Sequence, residues 1–156
     1  MTIYCNREIS NHLHNVVGLG AGVAGATEMA TTEITSLSGL RVLIVEDSWH
    51  VAVAVKSVLE SVGMEIVGPA ATIADAESLL TDRVPDLAVV DLNLHGEMAY
   101  SLIDDLIARS VPVLVASGYE TFPDMNTRVA AVLAKPIRAS MLLSTLRRII
   151  KQRDTH

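Results

Sequence analysis

A chain of 156 residues, half of them hydrophobic but only 3% aromatic, has room for one domain and a tail, with a core built from Val, Leu, Ile and Ala. A formal net charge of −6 argues against a nucleic-acid surface, which needs a basic stripe; the positives Arg147, Arg148, Lys151 and Arg153 fall on the predicted last helix as its solvated face. The single cysteine, Cys5, cannot close an internal disulfide, and the apolar stretch 16–26 is far shorter than the ~20 residues that span a bilayer, so the chain reads as cytoplasmic, with no membrane partner.

Residues 1–38 are rich in Gly, Thr, Asn and Ser, lack a sustained period and read as a flexible tail. Gly20-Ala21-Gly22-Val23-Ala24-Gly25 satisfies G-x-G-x-x-G, but no strand precedes it, and a dinucleotide site fails on context. His12 and His14 in this polar tail read as solvated. From residue 39 to 152 strand and helix patterns alternate, with 153–156 a short C-terminal tail. A strand is predicted over Arg41–Glu46, then a helix over Trp49–Val62, with Gly63 placed to end it in a left-handed cap. The strand Glu65–Val67 is expected to break at Gly68-Pro69, and Thr72 to cap a helix reaching Leu80, with Asp75 at the capping-box position. Strand Leu87–Val90, helix Met98–Arg109 and strand Val113–Ala116 follow. Region 119–128 is ambiguous, Pro123 being able to start only a brief helix. A strand over Ala131–Ala134 and a helix over Ala139–Lys151, burying Leu142, Leu143, Leu146 and Ile149 or Ile150, complete the series. Strands interleaved with helices require right-handed crossovers, so the expected fold is α/β: a doubly wound, five-stranded parallel sheet in a three-layer α/β/α sandwich of flavodoxin-like type.

Four of these apolar strands end in chemistry. Arg41–Val45 delivers Glu46 and Asp47, the third strand Asp91, the fourth Ser117 and the fifth Lys135 followed by Pro136. Strand C-termini are where open parallel sheets place ligands. Glu46, Asp47 and Asp91 at one sheet edge repel, so a proton or a cation must intervene; oxygen ligands without His or Cys select Mg²⁺, with Mn²⁺ possible. Asn93 offers a backbone carbonyl, Lys135 a point charge and Ser117 a hydroxyl for phosphoryl oxygens. Taken singly each has a blander explanation: Asp47 or Ser48 could cap the next helix, and a Lys-Pro dipeptide carries little. The four in this order make a phosphoryl-accepting site. His95 nearby reads as a bystander, and Trp49 either shields the metal or packs on the first helix.

At these residues, from Leu40 to about Ile150, the chain resembles the receiver domain of two-component response regulators: Glu46-Asp47, Asp91, Ser117 and Lys135-Pro136 match that family's acid pair, phosphorylated aspartate, switch hydroxyl and lysine. The interval between Asp47 and Asp91 is typical of the family. The resemblance implies that Asp91 is the nucleophile, that Asp47, Asp91 and the Asn93 carbonyl hold Mg²⁺ with Glu46 assisting through water, and that Ser117 and Lys135 respond to the phosphoryl group. It implies a histidine kinase or histidine phosphotransfer protein as donor and a downstream protein partner. The interval from Ser117 to Lys135 is short, which implies a curtailed fourth helix, and Val132 stands where many receivers carry a switching aromatic. Ala116-Ser117-Gly118-Tyr119 is similar to the Phe-Ala-Thr-Gly-x-Tyr signature of a receiver subgroup, with Val115 for Phe, Ser for Thr and Tyr119 directly after Gly; it makes Tyr119 a candidate switch residue.

The expected function is that of a single-domain response regulator, monomeric or weakly dimeric, that works as a phosphorylation-dependent binding switch and not as an enzyme. The alternatives are a small phosphohydrolase with an aspartyl nucleophile, for which Asn93 stands where a general acid is wanted, and a degenerate receiver serving as a constitutive interaction module.

Overall fold

The structure is a computed structural model that describes residues 37–118 and 124–155. The expectations for Cys5, His12, His14, the 20–25 glycine run and Tyr119 lie outside the described residues.

Strands β1 (Arg41–Val45), β2 (Glu65–Ala70), β3 (Leu87–Asp91), β4 (Val113–Ser117) and β5 (Ala131–Ala134) pair in parallel in the order β2-β1-β3-β4-β5. The intervening helices are α1 (Trp49–Ser61), α2 (Ile73–Asp82), α3 (Tyr100–Ala108), α4 (Met125–Arg128) and α5 (Ala139–Arg153). The period of two along each strand divides the core. Leu43, Val45, Ala88 and Val90 face α2 and α3 through Ala76, Leu80, Leu102 and Leu106. Val42, Ile44, Leu87 and Val89 face α1 and α5 through Val55, Leu59, Leu142 and Leu146. Every residue of β3 and β4 is buried, as expected of strands covered on both sides. This is the doubly wound, flavodoxin-like fold that the alternating pattern predicts.

Local chemistry fixes the joints. The α1 C-terminus carries a Schellman pair: the Gly63 N–H donates to Glu60 O at 2.9 Å and the Met64 N–H to Leu59 O at 3.2 Å, with Gly63 at φ 80°. A Cβ on Gly63 would lie 2.7 Å from Ser38 Oγ, so the position needs glycine on both counts. At α2, Thr72 Oγ1 accepts the Asp75 N–H at 3.1 Å, the expected cap.

Several boundaries differ from the sequence pattern. β2 does not stop at Val67 but continues through Gly68-Pro69 to Ala70. Gly68, at φ 94°, lets the strand bulge, and the register with β1 shifts between Leu43 and Val45. The bulge returns Ala70 O to the Glu46 N–H at 2.9 Å, anchoring the first acid of the site. A two-stranded hairpin, Asn93–Leu94 with Glu97–Met98, occupies the start of the predicted third helix, which begins at Tyr100 instead. Leu37, assigned by composition to the tail, is 0% exposed and joins the core on the α1 side. The last helix buries both Ile149 and Ile150, leaves Leu143 only partly buried and extends through Arg153. The short α4 agrees with the brief helix expected near Pro123, and an ion pair from Arg128 to Asp104 ties it to α3.

Candidate functional site

Parallel register assembles the site. Val45 at the end of β1 sits opposite Val90 of β3, Asp91 opposite Ala116 of β4, and Ser117 opposite Ala134 of β5. Glu46, Asp91, Ser117 and Lys135 therefore come off neighbouring strands at one sheet edge. The Lys135 N–H donates to Ser117 O at 2.8 Å, extending the β4–β5 ladder to the lysine itself.

One ammonium bridges two of the acids: Lys135 Nζ donates to Glu46 Oε2 at 2.8 Å and to Asp91 Oδ2 at 2.7 Å. The second oxygen of each acid accepts a backbone N–H two residues on, Ser48 to Glu46 Oε1 at 3.0 Å and Asn93 to Asp91 Oδ1 at 3.1 Å. Asp47 is held differently. Its Oδ2 accepts the His95 N–H at 2.9 Å and lies 3.3 Å from His95 Nδ1. His95 is thus no bystander. The Asn93 side chain is engaged within the hairpin, Oδ1 accepting the Gly96 N–H at 2.7 Å, while its backbone N–H bonds Asp91.

Burial and charge set the electrostatics. Glu46 and Asp91 side chains are 5% and 8% exposed. Burial raises the Glu46 carboxyl above its ordinary 4.5, more than the hydrogen bonds from Lys135 and Ser48 lower it. For Asp47 burial also acts upward, but the His95 N–H bond, with Glu46 and the His95 ring, outweighs it and leaves the pKa below 3.8. Burial works against the Lys135 ammonium; its bonds to Asp91 and Glu46 prevail and hold it above 10.5. Oxygens of Glu46, Asp47 and Asp91 all lie within 4.8 Å of one another. Each pair of charges then repels by about 3 kcal/mol at an effective dielectric of about 20, and one lysine cannot neutralise three acids. The donor set of Glu46, Asp47 and Asp91, hard oxygens only, fits Mg²⁺ or Mn²⁺.

A pocket of about 510 Å³ opens over these groups, lined by Asp47, Asp91, Asn93, His95, Gly118 and Lys135. A larger groove of about 740 Å³ lies beside it between α1 and the start of α5, but it is apolar and reaches the acids only through Lys135. The chemistry belongs to the smaller pocket. Of the residues singled out in the sequence, Glu46, Asp47, Asp91 and Lys135 come together directly. Ser117 is 3% exposed beside them on β4. Trp49, the first residue of α1, is 70% exposed. Ser48 takes the N-cap position of α1 without a side-chain bond. Sequence reasoning placed His95 near the site but as a bystander, because the signal for its contact with Asp47, a two-residue His-Gly turn, is weak without the hairpin around it.

Residues 42–147 match the family model described as response regulator receiver domain. Among curated proteins, the transcriptional regulatory protein PhoP of Escherichia coli (strain K12) is 27% identical over 119 residues, covering 72% of this chain and 53% of PhoP. The chain thus spans about half the length of that relative. Among solved structures, the response regulator PhyR from Brucella abortus superposes with a TM-score of 0.70 at 22% identity, covering 85% of this chain and 56% of PhyR. A CheY-like receiver domain from Methylobacillus flagellatus gives 0.65 at 26% identity, covering 72% of this chain and 99% of that one.

Proposed function

The chain belongs to the response regulator receiver domain family, and from that premise we propose that it accepts a phosphoryl group on Asp91 from a histidine kinase or histidine phosphotransfer protein and relays the change to a protein partner. The observation that carries this is Lys135 Nζ held between Glu46 and Asp91, at 2.8 and 2.7 Å, beside a third carboxylate. An Asp91 oxygen attacks the phosphorus of a phosphohistidine; the new P–O bond forms as the P–N bond breaks, and the imidazole leaves. Lys135 already touches that carboxylate and passes to a phosphoryl oxygen as a charge-assisted donor. Glu46, Asp47, Asp91 and the Asn93 carbonyl would hold Mg²⁺, which supplies neutralisation of the charge that gathers on the transferring group. The new charge and acceptor oxygens act on Ser117 and Gly118 at the end of β4, and through them on the face running from β4 to α5. Phosphohydrolase turnover is disfavoured because Asn93 cannot serve as a general acid and its side chain is tied to the Gly96 N–H. The domain acts as a switch.

Acetyl phosphate with Mg²⁺ should add one phosphoryl group to the protein by intact mass, and Asp91→Asn should reduce labelling to background. Wild-type labelling in Asp91→Asn would reassign the nucleophile. Steady turnover of a phosphomonoester would favour the hydrolase instead. Among the described residues no helix is long and apolar enough to cross a membrane.

A further inference from the structure

All three acids of the site have one oxygen fixed by a backbone N–H, but the donors come from different distances. Glu46 and Asp91 use the residue two positions on, a bond local to the strand end. Asp47 uses His95, 48 residues away, at the tip of the hairpin that follows β3. The tip is built to make that reach. His95 and Gly96 are its two central residues, with φ 53° and 88°, the pair of positive angles that a tight primed hairpin turn demands. Glycine adopts that region more readily than any other residue, and although histidine is among those that tolerate it, nothing in turn geometry favours histidine over glycine there. The imidazole does add a contact of its own, Nδ1 lying 3.3 Å from the same Asp47 Oδ2. One carboxylate oxygen thereby has the backbone N–H of His95 bonded to it and the imidazole of the same residue beside it, at the mouth of the pocket that also holds Asp91 and Lys135.

We infer that His95 is a positioning residue for the cation site, its backbone and ring together orienting the Asp47 carboxylate so that the acid cluster is set for a divalent ion before the ion arrives. The inference rests on the phosphoryl-accepting function proposed above. Partners that orient a metal-binding carboxylate typically govern affinity about tenfold or more without touching the metal. The imidazole is therefore favoured over the glycine that the turn would accept because it removes rotational freedom from Asp47 that binding would otherwise have to remove.

The test uses the chain's single tryptophan, Trp49, two residues from Asp47 and solvent-exposed, as the fluorescent reporter of Mg²⁺ binding, with calorimetry as a second readout. His95→Gly keeps the N–H donor and suits the positive φ, so its metal-free melting temperature should equal or exceed that of the wild type. Its Mg²⁺ dissociation constant should rise about tenfold. In metal-free protein the His95 amide proton should resonate downfield and lose that shift in Asp47→Asn. An unchanged or tighter Mg²⁺ constant in His95→Gly would overturn the positioning role, as would an amide signal indifferent to Asp47→Asn. Absence of Mg²⁺ binding by the wild-type protein would instead overturn the cation site on which the inference stands.

Discussion

The two edges of the sheet both carry carboxylates, and they handle them in opposite ways. At the edge where the strands begin, one acid faces two bases: Asp86 Oδ2 accepts the Arg41 N–H at 2.8 Å and lies 4.0 Å from Arg41 Nε, while Arg153 approaches Oδ1 at 3.8 Å and donates to Asp86 O at 3.2 Å. At the edge where the strands end, three acids cluster around one lysine, which bonds two of them, Glu46 and Asp91, while Asp47 rests against His95. The first arrangement is closed: a 30% exposed carboxylate with its charge more than matched fastens the start of β3 to β1 and the end of α5. The second leaves excess negative charge among largely buried groups, and an arrangement with that surplus persists in a marginally stable protein only if something is gained from it elsewhere. Carboxylate count alone does not mark a functional site; the ratio of acid to base at a given burial does.

The contrast is sharpest at Lys135. Its removal by Lys135→Ala strands two buried carboxylates, and breaking such a pair costs about 3 kcal/mol, or a fall of roughly 10 °C in the metal-free melting temperature. Mg²⁺ should restore more stability to this variant than it adds to the wild type, because the cation replaces the lost charge. Thermal melts in EDTA and in Mg²⁺ check both parts; a loss no larger than that of Asp86→Ala would erase the distinction between the edges.

Removing an acid from the strained edge should act in the other direction. Glu46→Gln removes a carboxylate whose charge is opposed first by burial and also by Asp91, at the expense of its bond and attraction to Lys135, and should stabilise the metal-free protein by no more than about 1 kcal/mol at neutral pH. Because the Glu46 pKa is raised in the fold, its protonated form is the one the native state prefers. Its contribution is therefore greatest below 4.5 and declines as pH rises through the raised value, so the gain from Glu46→Gln should shrink toward acid. Denaturant melts of both proteins across that range decide it, and a gain that grew toward acid would mean the sign is wrong. Asp47, lowered, contributes oppositely: its stabilisation holds above 3.8 and fades as pH falls through the lower folded value.

The smallest effect belongs to the closed edge. Asp86→Ala removes exposed ion pairs and one backbone bond, a loss of about 0.5 to 1 kcal/mol, and should leave the Mg²⁺-dependent rise in melting temperature unchanged. A changed Mg²⁺ response would show that the two edges are coupled through β3.

Much of this was legible because the relevant signals are local. An apolar run followed by a carboxylate puts that carboxylate at a strand end whatever the neighbouring chain does, so Glu46, Asp47, Asp91 and Lys135 could be named from short windows. β2 misled because proline ordinarily ends a ladder; the Gly68 bulge that allows it to continue depends on β1 lying alongside. The hairpin at 93–98 was hidden because strands of two residues have no period to detect. Leu37 was lost to the composition of the segment before it, although burial acts on single side chains.

By itself, then, the sequence determined the order of strands and helices, the apolar faces that divide the core, and which strands end in acid, hydroxyl or amine, since all of these follow from neighbours within a few residues. Only the tertiary structure decided that one ammonium spans Glu46 and Asp91, and that His95 is folded back onto Asp47. Contacts of this kind join residues tens of positions apart, and their lengths are set by strand register and hairpin geometry, which take definite values only when the whole sheet has packed.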